Sequence, residues 1–132
     1  MGVRYLLDTH ALIWLAGDGP RPRSEVAAAV SSLENDLVVS AASAFEIATK
    51  IRLGKLEEAR PLQDRWDAAL AEMGATSMDV ADKHALWAGR LDWDHRDPFD
   101  RLLAAQAISE GLTLVTADRA FDDLPGLSVM RW

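Results

Sequence analysis

Asp8, Glu46, Asp100 and Asp118 are the residues in this sequence whose type and placement suit a chemistry. Carboxylates gathered in one place repel unless protons or cations offset their charge. Hard oxygen ligands that leave room for water suit Mg²⁺ or Mn²⁺. Such an ion orients water, helps to deprotonate it and stabilises charge building on a phosphoryl group. In this scheme one carboxylate coordinates the ion, a neighbour positions the attacking water, and the rest complete the inner or outer shell. The four acids leave the number of ions, one or two, open. No serine, histidine or cysteine nucleophile is required, and the chain contains no cysteine, which also removes disulfides and thiolate metal sites.

Each acid also has a purely structural reading. Asp8 follows a strand-like segment and could cap the next helix. Ser43 and Glu46 have capping-box spacing, and Glu46 with Lys50 could form a solvated i,i+4 ion pair. In Asp97-Pro98-Phe99-Asp100, one aspartate suffices as a helix cap and Pro98 suits the first helical position. Asp97 is read as the cap and as an accessory site residue, leaving Asp100 for chemistry. Asp118 could cap a short helix over residues 119–124, and the Thr116 hydroxyl could orient a carboxylate or a bound water.

The elements that must position these groups follow from hydrophobic pattern. Tyr5-Leu6-Leu7, Leu37-Val38-Val39-Ser40, Thr113-Leu114-Val115-Thr116 and Leu127-Ser128-Val129-Met130 read as buried strands. Residues 10–16, 24–33, 43–53, 62–73, 80–90 and 99–110 read as helices. In the last, Leu102, Ala105 and Ser109 are candidates for the packed face. Gly17-Asp18-Gly19-Pro20-Arg21-Pro22 is a loop. Alternating strand and helix signals predict an α/β sandwich with a parallel sheet, in which carboxyl ends of strands form the ligand crevice. Asp8, Glu46 and Asp118 each fall near such an end, and Asp100 begins the helix before the third strand.

The 132 residues suit one domain spanning residues 1–132. No apolar run nears the roughly 20 residues of a bilayer span, and the first residues lack a secretory-signal pattern; the expected setting is soluble and cytoplasmic. The formal charge of −7 argues against a generally basic surface for nucleic acid but allows a local basic rim.

Four blocks in register carry a family resemblance: Leu6-Leu7-Asp8-Thr9-His10-Ala11-Leu12-Ile13-Trp14, residues 39–50 around Phe45-Glu46-Ile47, residues 95–107 around Asp97-Pro98-Phe99-Asp100-Arg101-Leu102-Leu103, and Leu112-Thr113-Leu114-Val115-Thr116-Ala117-Asp118. Together they resemble the PIN-domain toxins of the VapC kind, ribonucleases of type II toxin–antitoxin pairs. The resemblance implies a PIN-like three-layer α/β/α sandwich with a central parallel sheet and Mg²⁺- or Mn²⁺-dependent endonucleolytic cleavage of RNA. It implies a small antitoxin partner and homodimerisation. Asp8, Glu46 and Asp100 match the principal metal-site acids, Asp118 the more variable fourth, and Thr116 an accessory residue. Phe45 stands where tryptophan is commoner, and both are aromatic core candidates.

Lys50, Arg52, Lys55, Arg96, Arg101 and Arg119 could line a phosphate-binding rim, with Arg101 and Arg119 favoured because they adjoin site acids; ordinary surface or salt-bridge roles are the alternative for each. His10 and His95 are read chiefly as turn, helix or outer-shell groups, and His84 as structural. Trp14, Trp66, Trp87, Trp93 and Trp132 are read as packing residues, Trp93 being the best exception for base stacking. The competing functional readings are a DNA or structure-specific PIN-like nuclease and a noncatalytic antitoxin-binding protein.

Overall fold

Three of the four apolar runs become strands buried on both sides, whereas the run at 127–130 becomes an edge strand with no fully buried residue. In the computed structural model, which describes residues 2–132, the chain runs β1 (Arg4–Leu7), α1 (Thr9–Ala16), α2 (Ser24–Ser31), β2 (Asp36–Ser40) and α3 (Ala41–Arg52). It continues through a 3₁₀ turn (Glu57–Ala59), α4 (Arg60–Asp64), α5 (Trp66–Met73), β3 (Ala75–Met78), α6 (Asp82–Arg90) and α7 (Pro98–Glu110). It ends with β4 (Thr113–Thr116), a second 3₁₀ turn (Arg119–Asp123) and β5 (Ser128–Arg131). The strands form one all-parallel sheet in the order β3-β2-β1-β4-β5.

Side chains alternate between the faces of a strand, and this period splits the core in two. Tyr5 and Leu7 join Leu37, Val39 and Val115 beneath Leu12, Ile47, Ile51 and Leu70. Leu6, Val38 and Leu114 face the other way, against Leu103, Ala104, Ala107 and Phe121. The result is the three-layer α/β/α architecture expected from sequence. Because β1 lies between β2 and β4, the chain leaves the sheet centre in opposite directions, which opens a crevice at the carboxyl ends of β1 and β4. No helix among the described residues is long and apolar enough to cross a membrane.

Several local expectations are corrected. The helix read over 62–73 is two, α4 and α5, broken at Arg65, whose φ −122° and ψ 37° are not helical. Strand β3 had no signal: Ala75-Thr76-Ser77-Met78 is an edge strand with no fully buried residue, so no apolar run marks it. Helix α3 begins at Ala41, not 43, because the Ser40 hydroxyl accepts the Ala42 N–H and makes Ser40 the cap. In α7 the fully buried stretch is Leu103 to Ala107, while Leu102 and Ser109 are only partly covered. Flanking packing on both sides of α7 widened the buried face beyond a single stripe. Helices α5 and α7 end where sequence places glycine: Gly74 and Gly111 adopt φ +69° and +67°, the left-handed cap that disfavours a Cβ.

Candidate active site

Asp8 is the first residue beyond β1, and it both caps a helix and faces the crevice. Its Oδ1 accepts the Ala11 N–H at 2.8 Å, closing the start of α1. Its Oδ2 accepts the Thr116 hydroxyl at 2.5 Å. Thr116 ends β4, next to β1 in the sheet, and its Oγ1 also accepts the Asp118 N–H at 3.0 Å. One buried hydroxyl therefore ties two acids from adjacent strands. Asp8 is only 5% exposed. Burial pushes its carboxyl above the usual range, opposed by the bonds from Thr116 and Ala11 and by the charge of His10, and assisted by the charge of Asp118. Asp118 itself is exposed and caps the second 3₁₀ turn by accepting the Ala120 N–H at 2.9 Å.

Glu46 sits one turn into α3 and is 3% exposed. Its Oε1 accepts the Thr9 hydroxyl at 2.6 Å, Thr9 shares a hydrogen bond of 3.0 Å with Ser43, and its Oε2 pairs with Lys50 Nζ. The capping box read from Ser43 and Glu46 is thus absent, since Ser43 lies inside the helix, and the Glu46–Lys50 pair is not a solvated one. For Lys50, burial works to lower the pKa, but hydrogen bonding to Glu46 and the charges of Glu46, Asp97 and Asp100 raise it overall.

Asp97 caps α7, its Oδ1 accepting the Phe99 and Asp100 N–H groups at 2.8 and 3.3 Å. Asp100, in the first turn, is then free to face the crevice. Its carboxyl is pushed up to about 6, chiefly by burial and further by the charges of Asp97 and Glu46, against the hydrogen bond and charge of His95. His95 Nε2 lies 2.7 Å from Asp100 Oδ2. One ligand atom from each of His95, Asp100 and Asp118 lies within 4.8 Å of the others. Asp8 is linked to this group through Thr116 and Asp118, and Glu46 through its electrostatic coupling to Asp100. A hard divalent cation fits the donor set: two carboxyls here hold protons more tightly than free carboxylates do, the condition that a cation relieves.

Arg101, favoured from sequence as an RNA contact, is instead a backbone clamp. Its Nε donates to Ala88 O, Nη1 to Trp93 O and His95 O, and Nη2 to Leu91 O, at 2.6 to 2.9 Å. Four of the five N–H donors of the planar fork are spent in fixing the end of α6 and the segment that leads to α7. Arg96 and Arg119 are exposed, and Lys50 is committed to Glu46. Phe45 is corrected as well: it is 67% exposed and packs edge-on against Phe99, rather than filling the core. Trp93 packs with the second core and stacks on His95 and Phe121. His84 is structural as expected; Nδ1 accepts the Ala81 N–H at 2.9 Å and so caps α6. Sequence reading undervalued Thr9 and His95. The available signal was a hydroxyl directly after Asp8 and an imidazole five residues before Asp100. A cavity of about 680 Å³ between α1 and residues 56–62 contains none of the four acids.

The PIN-domain family model matches residues 5–127, and the chain belongs to the PIN-domain family. Within it the chain is of the VapC kind. It is 34% identical over 118 residues to Ribonuclease VapC22 of Mycobacterium tuberculosis, covering 86% of each chain. Its fold matches a chain of VapBC2 from Rickettsia felis bound to a promoter DNA fragment, with TM-score 0.74, 21% identity and coverage of 98% and 99%. A chain of VapBC-1 from nontypeable Haemophilus influenzae matches with TM-score 0.71, 21% identity and 98% coverage of each.

Proposed function

We propose that this protein is a Mg²⁺- or Mn²⁺-dependent endoribonuclease, the toxin of a type II toxin–antitoxin pair. The observation that carries the reading is the grouping of Asp100 and Asp118 with His95 within 4.8 Å, with Asp8 tied to it through Thr116 and Glu46 through its charge on Asp100. The similarity to a ribonuclease over most of both chains supports RNA as the substrate. The VapBC chains with the same fold support a small antitoxin as partner. Homodimerisation and a cytoplasmic setting belong to the same proposal.

When bound, the ion lowers the pKa of coordinated water and stabilises charge on the phosphoryl oxygens. Asp8, Asp100 and Asp118 would hold it, with Thr116 tying Asp8 to the backbone of Asp118. Glu46 accepts the proton of the attacking water once Lys50 turns from it towards the substrate phosphate. The water oxygen then bonds to phosphorus as the bond to the leaving sugar oxygen breaks. Exposed Arg96 and Arg119 hold flanking phosphates without reading bases. Asp97 maintains the helix start that presents Asp100.

The direct test is cleavage of a mixed structured RNA pool with Mg²⁺ or Mn²⁺, beside EDTA and an Asp8→Asn protein verified as folded. Cleavage lost in both controls is the expected result. A well-folded, partner-free wild type that cuts DNA but not RNA, or cuts nothing with either ion, overturns the reading.

A further inference from the structure

The segment joining α6 to α7 holds an imidazole against the site acids more firmly than a surface loop would. Two backbone carbonyls of this segment, Trp93 O and His95 O, accept from Arg101 Nη1 at 2.8 and 2.9 Å. The His95 ring lies 4.8 Å from the ring of Trp93 and 6.3 Å from that of Phe121. Phe121 is buried in the turn that Asp118 caps, so the same packing aligns His95 with Asp118. Backbone and ring are therefore both fixed, and Nε2 points at Asp100 Oδ2 from 2.7 Å.

These distances suit a shared ion as well as a hydrogen bond. In an octahedral shell with metal–ligand bonds of about 2.1 Å, adjacent ligand atoms stand about 3 Å apart and opposite ones about 4.2 Å. The His95–Asp100 separation is close to the first value. One ligand atom from each of His95, Asp100 and Asp118 lies within 4.8 Å of the other two, and Asp118 is exposed, so its side chain has room to move towards a shared ion.

We propose that His95 is a metal ligand through Nε2, joining Asp100 and Asp118, so that the centre is a mixed nitrogen–oxygen site that favours Mn²⁺ over Mg²⁺ more than carboxylates alone would. The proposal rests on the metal-centre reading given above. Oxygen-only sites suit Mg²⁺, whereas an imidazole raises affinity for first-row transition ions. On loading, the hydrogen bond between His95 and Asp100 would give way to a bond from each to one ion, the neutral ring carrying its proton on Nδ1 so that Nε2 is free to ligate. Ring packing and the Arg101 clamp would then orient a ligand as outer contacts commonly do.

The test is calorimetric binding of Mn²⁺ and of Mg²⁺ to wild type and His95→Gln, with pulsed electron paramagnetic resonance of bound Mn²⁺. Glutamine retains an N–H for Asp100 but has no ring nitrogen, and thermal melts verify its fold. The expected result is directly coupled ¹⁴N in wild type, its loss in His95→Gln, and a fall of about tenfold in the Mn²⁺/Mg²⁺ affinity ratio. Mn²⁺ bound to wild type without ¹⁴N coupling, or coupling that persists in His95→Gln, overturns the proposal and leaves the carboxylate centre standing. Failure of wild type to bind either ion overturns both.

Discussion

Removing the charge of Asp100 should stabilise the metal-free protein while abolishing the response to metal proposed above. The carboxyl is raised from 3.8 to about 6 in the native state. Below about pH 4 both native and unfolded chains hold the proton. Between about 4 and 6 the unfolded chain releases it while the native chain retains it, so native stability falls as pH rises through this window. Above about 6 the penalty is complete. Roughly two pKa units at 1.36 kcal/mol each give about 3 kcal/mol. The side chain is 19% exposed, which supports that conversion as an order of magnitude. The rise to about 6 is already net of the hydrogen bond and charge of His95, so Asp100→Asn, a neutral near-isostere, eliminates the whole penalty. The expected gain at pH 7.5 in EDTA is therefore up to about 3 kcal/mol, seen as a higher Tm. Saturating Mn²⁺ should raise the Tm of wild type, as binding to the native state alone requires, and leave the variant nearly unchanged. Melts in EDTA and Mn²⁺ at pH 4, 6 and 7.5 measure all these quantities. An Asp100→Asn protein less stable than wild type in EDTA at pH 7.5, yet equally stabilised by Mn²⁺, would refute the argument.

Asp8→Asn should abolish cleavage while preserving α1, because asparagine is also a good N-cap; Asp8→Ala should cost about 1 kcal/mol more than Asp8→Asn, measured by urea unfolding. Thr116→Val keeps the shape but removes the bond to Asp8 and the acceptor for the Asp118 N–H. It should lower stability by about 1–3 kcal/mol and reduce cleavage at saturating metal, and normal activity with unchanged stability would count against the hydroxyl bridge. Arg101→Lys should lower the urea-derived stability by about 2–4 kcal/mol, since one ammonium cannot satisfy four carbonyls. In Arg101→Gln, which removes the charge, the salt dependence of RNA binding should stay the same, whereas a slope reduced by about one would restore Arg101 as a phosphate contact.

The sequence by itself determined most of the frame. The unbroken apolar runs at Tyr5-Leu6-Leu7, 37–39 and 114–115 read as strands covered on both faces, and the intervening helical patterns favour a parallel sheet. Asp97-Pro98 announces the start of α7, and Gly74 and Gly111 mark helix ends through backbone conformations local to each residue. Acids next to these strand ends were legible for the same reason. Edge strand β3 was not, because Ala75-Thr76-Ser77-Met78 is specified by hydrogen bonding to β2 rather than by burial of its own side chains. Nor could spacing assign Arg101 or Phe45, since a guanidinium beside a site acid suits phosphate or backbone carbonyls equally, and an aromatic on α3 suits core or surface. Those choices, the Thr116 bridge between Asp8 and Asp118, and the contact of His95 with Asp100 depend on which segments meet at the carboxyl ends of β1 and β4. That meeting is long-range packing, which no residue encodes locally, and only the tertiary structure decided it.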